Sequence, residues 1–293
     1  MHDDLGRVGI WTFAFDAQPA AVAQEMAAEL EELGFGAIWV PEAVGRDPMV
    51  AATLLLTATE RIVLCTGVAS IYARAAMTMT SAWKAIGEAF PGRFLLGVGV
   101  SHQVAVEGMR QQTYGPPLAT MRAYLDAMDT ALYLATPPVV EPGRCLAALG
   151  PKMLALAAER TRGAHSYYVP PEHTAFAREV MGPGPLLAPE QKVVLETDPA
   201  VAREIARASI AGYLGLPNYA NNLRRLGFTE EDITGCSDRL VDAIVAWGDV
   251  DAVSERVRAH HDAGADHVCL QVLPSDDAAR VRRDWRALAS ALL

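Results

Sequence analysis

Two short runs constrain the fold of this chain more than any other feature: Arg61-Ile62-Val63-Leu64-Cys65-Thr66-Gly67-Val68 and Arg93-Phe94-Leu95-Leu96-Gly97-Val98-Gly99-Val100. They are too short and too β-branched for helices, and they lack the polar alternation of a half-exposed strand. Continuous Val/Ile/Leu runs suit strands covered on both faces, as in a parallel sheet. Glycines at their carboxyl ends imply that something approaches the backbone where α/β folds hold ligands. A small-molecule enzyme is the reading that follows.

Strand and helix signals alternate throughout. Strands are expected at 8–14, 37–40, 62–68, 94–100, 144–149, 164–169, 192–196 and 267–273. Helices are expected at 20–33, 49–58, 76–90, 118–134, 151–161, 172–181 and 249–263, with a closing helix from Asp276. Another opens at Asp198-Pro199, an N-cap followed by a proline in the first turn. The stretch from 216 to about 248 reads as a helical insertion between strands seven and eight. In 293 residues this alternation predicts a (β/α)8 barrel, one α/β domain spanning 1–293. An open doubly wound sheet is the alternative, but Trp11-Thr12-Phe13-Ala14 is not its Gly-rich first turn.

With 51% hydrophobic and 20% charged residues the chain can bury a large core, which excludes a disordered polymer. A net charge of -10 argues against a nucleic-acid partner and leaves any anionic ligand to local donors. Cys65, Cys145, Cys236 and Cys269 show no C-x-x-C spacing and read as reduced core thiols. The acidic N-terminus has no signal-peptide character, and no apolar run approaches the roughly 20 residues of a membrane span. A cytoplasmic protein with a small-molecule substrate and no membrane partner is expected.

The strand ends carry Phe13, Glu42, Gly67-Val68, Ser101-His102, Leu149-Gly150, Ser166-Tyr167, Glu196 and Gln271. No His/Asp/Glu cluster of metal-ligand density and no G-x-S-x-G elbow appears, so an organic cofactor is expected to bring the chemistry and no metal is expected. His260-His261 reads as a solvated pair. Leu149-Gly150-Pro151-Lys152 offers a helix N-terminus suited to phosphate, or merely a tight turn. Thr66-Gly67-Val68 either backs a flat ring or simply ends a strand. Glu42 serves proton transfer or pairs with Arg46. His102 is a general acid/base or a structural histidine. Tyr213, Tyr219 and Trp247 either cover a pocket or form the core of the insertion.

Taken together, three segments resemble the bacterial luciferase-like monooxygenase superfamily, in its coenzyme F420-dependent oxidoreductase branch. They are Gly34-Phe35-Gly36-Ala37-Ile38-Trp39-Val40-Pro41-Glu42, Arg61 to Val68, and Gly92 to His102. Ala148 to Leu154, Gly163-Ala164-His165 and Gly264 to Val268 extend the likeness over nearly the whole chain. The resemblance implies a barrel, often a homodimer, that binds a deazaflavin at the strand ends and transfers hydride to or from an organic substrate. It implies a non-proline cis peptide at Gly67-Val68 behind the ring, with Thr66, Gly67 and Val68 as cofactor residues. It places the phosphate on Ala148, Leu149 and Gly150, with Ser166 nearby, and sets Glu42 and His102 where relatives line the cofactor ring and substrate pocket, so that His102 or Glu42 is expected as the catalytic residue that manages the accompanying proton. FMN with oxygen is the alternative cofactor chemistry, and a non-catalytic flavin-binding protein is a further alternative. The chain departs from its relatives at Ala43, where several carry a histidine, at Tyr72-Ala73-Arg74-Ala75-Ala76, and at Arg162-Gly163.

Overall fold

The computed structural model describes residues 5–274 and 277–293, so the acidic residues 1–4 and the expected helix start at Asp276 lie outside the described residues. The first half runs β1 (Val8–Trp11), α1 (Ala20–Glu32), β2 (Ala37–Val40), α2 (Pro48–Leu56), β3 (Val63–Thr66), β4 (Ala69–Ser70), α3 (Ala76–Ala89) and β5 (Phe94–Gly99). A π-helical turn (Val104–Met109) then leads to α4 (Pro117–Asp129), β6 (Gly143–Ala147), α5 (Pro151–Arg160), β7 (Gly163–His165) and α6 (Pro171–Met181). The chain continues through β8 (Leu186–Leu187), β9 (Glu190–Leu195), α7 (Pro199–Leu214), α8 (Pro217–Arg225), α9 (Glu230–Gly235) and α10 (Asp238–Ile244). It closes with β10 (Val245–Gly248), α11 (Val250–Asp262), β11 (Val268–Val272) and α12 (Ala278–Leu292).

The strands form one parallel sheet in the order β10-β9-β11-β1-β2-β3-β5-β6-β7-β8, with β4 beside β5. The sheet curls until its two sides meet. Only Ala188-Pro189 separates β8 from β9, and Ala188 N donates to Ala164 O at 2.9 Å while Glu190 N donates to Ser166 O at 2.8 Å. Side chains alternate along each strand. Trp11, Trp39, Cys65, Leu95, Cys145 and Cys269 point into the ring. Ile10, Ile38, Leu64, Leu96, Leu146 and Leu270 point outward and pack under the helices. A separate apolar cluster of Tyr168, Ile210, Tyr219, Leu223, Leu240 and Val245 holds the segments after β9 together. Gly97 is required by crowding, since a Cβ there would lie 2.0 Å from the Thr66 carbonyl oxygen of the neighbouring strand.

Several expectations need correction. The first strand stops at Trp11 rather than 14, and the fourth helix stops at Asp129 rather than 134. Leu132 and Leu134 beyond it are exposed, so their apolarity marks no buried helical face. Three short strands, β4, β8 and β10, were not expected. β10 occupies residues read as the end of a helical stretch: it pairs with β9 from Val245↔Lys192 to Gly248↔Leu195, where β7 has already ended. The exposed edge of β9 needs a hydrogen-bonding partner, and this segment supplies it. His260 is not solvated but fully buried, because it continues the inward stripe of Val253 and Val257 on α11. All four cysteines are free and buried, as expected. Among the described residues no helix is long and apolar enough to cross a membrane.

Candidate active site

A cavity of about 730 Å³ opens at the carboxyl ends of the strands. Trp11, Gly67, Val68, Gly99, Ala147 and His165 form its base. Glu42, Ala43 and Val44 stand on one side beside Ala105, Met109 and Arg110 of the π-helical turn. Ala148, Leu149 and Gly150 form the opposite side, and Tyr167, Tyr213, Leu216, Asn218 and Tyr219 close over it.

The structure brings most of the anticipated residues together. The Gly67-Val68 peptide is cis, and the Trp11 indole donates to Gly67 O at 2.9 Å. Thr66 and Ser166 are not presented to the cavity: their hydroxyls donate to Gly97 O at 2.6 Å and Ala148 O at 2.8 Å. Glu42 does not pair with Arg46. It accepts from Ser70 N at 2.7 Å, from both Arg74 terminal nitrogens at 2.9 Å, and from Arg110 at 3.3 Å. The carboxylate thereby ties β2's end to β4 and to the turn at the lip. Arg46 instead donates to Phe15 O and Gln18 O. Ser101 adopts a left-handed φ of 57°, which swings His102 out of line with β5 toward the cavity. His102 Nδ1 lies 3.1 Å from Asn218 Oδ1, and its ring packs 5.4 Å from that of Tyr219. Burial pulls its pKa below the ordinary value, with the Asn218 hydrogen bond opposing. The ring is therefore neutral near pH 7, with Nδ1 protonated and Nε2 basic.

At the far end, Gly150 caps α5 in extended conformation and Pro151 begins the helix, so first-turn amides face the cavity end. A Cβ on Gly150 would meet nothing closer than Arg225 Nη2 at 3.7 Å. Asn222 holds that guanidinium by accepting from Nη1 at 2.8 Å. His173 Nε2 donates to Leu149 O at 2.9 Å and anchors the same turn. An open glycine cradle, helix amides and an arginine together fit a phosphate. Arg225 was missed by the sequence reading because α8 brings it from 75 residues further along the chain.

A second group was also missed. Lys192 and Glu190 are buried together inside the ring, with Nζ 3.1 Å from both Glu190 oxygens and 3.2 Å from Gln271 Oε1. The ammonium also sits 3.7 Å from the centre of the Tyr167 ring. Burial pulls Lys192 down and pushes Glu190 up, and their mutual attraction opposes both shifts. Trp247 lies away from the cavity, donating to Asp242 at 2.7 Å, whereas Tyr213 and Tyr219 line it.

A parallel ring whose strand ends enclose an apolar-walled cavity, with backbone at its base and an anion cradle at one end, is the arrangement of a small-molecule enzyme. The chain belongs to the luciferase-like monooxygenase family, whose sequence profile matches residues 7–267. A Mycobacterium tuberculosis relative, named provisionally as a coenzyme F420-dependent oxidoreductase, is 26% identical over 94% of this chain and 97% of its own. An F420-dependent secondary alcohol dehydrogenase, solved with an F420–acetone adduct, superposes with a TM-score of 0.76 at 14% identity, covering 98% of this chain and 99% of its own. The F420-dependent tetrahydromethanopterin reductase of Methanopyrus kandleri matches at 0.76 and 16% identity, covering 99% and 98%. The FMN-bound oxygenating component of 3,6-diketocamphane monooxygenase from Pseudomonas putida matches at 0.69 and 14%, covering 98% of each chain. These neighbours share the fold, and the chain is an enzyme of this family.

Proposed function

We propose that the protein is an F420-dependent oxidoreductase that moves a hydride between the deazaflavin and a small organic substrate. One observation carries this reading: a single cavity joins the Gly67-Val68 backbone at its base to the Gly150 cradle beneath Arg225. A flat ring and a phosphate on one arm need that pairing of surfaces. In this reading the ring of strands is the (β/α)8 barrel of the family, and 216–248 is an insertion over its mouth.

Gly67, Val68 and Trp11 would back the ring, while Leu149, Gly150, the α5 amides and Arg225 would hold the phosphate. When bound, the deazaflavin supplies two-electron hydride chemistry. The protein's own work is orientation and exclusion of water. Glu42, saturated by cations and an amide, positions the lip instead of trafficking protons. His102, neutral with a basic Nε2, exchanges protons between the cavity and solvent.

The FMN monooxygenase reading uses the same two surfaces, and the FMN-bound neighbour supports keeping it as the second. Titrating the protein separately with F420, FMN and NADPH, following tryptophan emission, separates the two, because Trp11 lies in the cavity. Saturable F420 binding is expected. Tight binding of FMN alone would replace the proposal with the monooxygenase reading.

A further inference from the structure

Resting on the hydride-transfer reading, we infer that Tyr213 hydrogen-bonds and protonates the oxygen of a carbonyl substrate, with Tyr167, Gln271 and Lys192 as its positioning residues. The argument is a count of protons. Gln271 Oε1 receives the Lys192 ammonium at 3.2 Å, which fixes this atom as the amide oxygen, since an amide nitrogen would face another donor. Tyr167 OH lies 2.9 Å from the same oxygen, so Tyr167 must be the donor there. A hydroxyl has one proton. The 3.2 Å contact between the Tyr167 and Tyr213 hydroxyls must therefore be donated by Tyr213. Tyr213 thus donates to Tyr167 and Tyr167 to the Gln271 oxygen, which Lys192 also holds, so the chain of bonds converges on Gln271 and its outer end is the Tyr213 hydroxyl at the cavity wall.

That proton is held only by a neutral hydroxyl oxygen, a bond that an incoming carbonyl oxygen can replace one for one. The chain belongs to the same space as the proposed ring site. Trp11, which donates to Gly67 O, packs 5.0 Å from the Tyr167 ring, and both tyrosines line the cavity. The left-handed φ of 65° at Tyr168 turns the backbone just after β7, beside Tyr167. The buried Lys192–Glu190 pair is poorly explained by stability, since apolar replacements of such pairs are often neutral or stabilising. Its ammonium lies 3.7 Å from the centre of the Tyr167 ring and holds the Gln271 oxygen to which Tyr167 donates, which gives the pair a positioning role. The surrounding walls of Trp11, Phe13, Val68, Met109 and Leu216 suit an apolar body on either side of the carbonyl.

A bound, reduced deazaflavin would supply the hydride for the new C–H bond, with the carbonyl π pair moving to oxygen. The Tyr213 O–H bond breaks, its proton passes to that oxygen, and its electron pair stays on the phenolate. Tyr167 then turns its proton from Gln271 toward the phenolate, which it holds by that hydrogen bond until a solvent proton restores Tyr213. Burial raises both phenols above the ordinary tyrosine value, so each retains its proton through the working pH range.

The test uses the intact protein, F420 and cyclohexanone labelled with 13C at its carbonyl. Wild type, Tyr213→Phe, Tyr167→Phe and the double variant Lys192→Met/Glu190→Gln are each titrated with F420, and the double variant leaves no charge buried alone. With oxidised F420 bound, the carbonyl resonance is expected downfield in wild type relative to Tyr213→Phe, with the other two variants between. With reduced F420, Tyr213→Phe should lower kcat about 100-fold or more, while F420 affinity stays within about threefold. Equal resonances and equal kcat in wild type and Tyr213→Phe would overturn the inference. So would a wild type that binds F420 yet neither shifts nor reduces the ketone. A wild type that binds no F420 would refute the proposed function itself.

Discussion

Four buried histidines make the folded state acid-labile well above the carboxylate range. His267 donates from Nδ1 to Gly6 O at 2.8 Å and accepts the Trp39 indole proton on Nε2 at 3.1 Å, so it must be neutral. His260 faces Gln191 Oε1 at 2.9 Å with one nitrogen and the Thr174 hydroxyl at 2.8 Å with the other. His165 and His173 each donate once, to Ala188 O and Leu149 O, and their second nitrogens meet no hydrogen-bonding group among the described residues. Burial drives His165, His173 and His267 to about 4 and His260 to about 3, from an unfolded value of 6.5. Well above pH 6.5 both states hold these rings neutral and stability is unaffected by them. As pH falls below that value the unfolded chain binds protons that the fold refuses, and stability drops until the folded values are reached. At pH 5.5 each histidine costs about 1.4 kcal/mol, or about 6 kcal/mol for four, comparable with the whole stability of many domains. Urea unfolding followed by circular dichroism from pH 7.5 to 5.5 should show that loss. Calorimetry in buffers of different ionisation enthalpy should show uptake of between three and four protons at about pH 5.5. His260→Gln, which can still donate to Gln191 and accept from Thr174, should remove about a quarter of both effects. Stability constant to within about 1 kcal/mol over this interval would refute the neutral assignments.

Three further outcomes are expected. Gly97→Ala, placing a methyl 2.0 Å from Thr66 O, should destabilise by about 3 kcal/mol and lower Tm by several degrees, whereas Gly108→Ala, with open space around it, should not. Equal melting temperatures for the two would show that β3 and β5 are not in the contact described. Gly150→Asp should weaken F420 binding at least about tenfold in a fluorescence titration, by filling the cradle and repelling the phosphate, with Tm kept within a few degrees. Unchanged affinity would remove the phosphate from this turn. His102→Ala should lower turnover with F420 affinity within about threefold of wild type, and a wild-type turnover number would end its proton-exchange role.

The buried parallel strands were legible because a strand covered on both faces must be apolar throughout, and β3 and β5 read that way residue by residue. The added strands were not. β4 and β8 are two residues each, too short for any pattern, and exist only because a neighbour's backbone needs a partner. β10 was misread for a related reason: Val245-Ala246-Trp247-Gly248 follows α10 without a break, and only the exposed edge of β9 decides its conformation. The glycine-tipped strand ends do lie at the cavity: Gly67 and Gly99 line it, where a Cβ would meet the Trp11 and Val68 side chains.

Polar residues near those ends were harder, because one position along a strand reverses the direction of a side chain. Cys65 belongs to the cluster inside the ring, so Thr66 must turn away from it, and its hydroxyl goes to the neighbouring strand. That alternation is visible in the sequence once either neighbour is placed. Glu190-Gln191-Lys192 carries a similar signal: opposite charges two residues apart on a strand share a face, and the Val193-Val194-Leu195 that follows requires that strand to be buried. A buried Glu/Lys pair on one face of a parallel strand implies an interior that needs charge. Gln271 on the adjacent strand, in register with Lys192, then carries that charge outward to Tyr167. Arg225 offers no such local clue. Its place beside Gly150 depends on the path of α8, and no spacing within the sequence encodes that path.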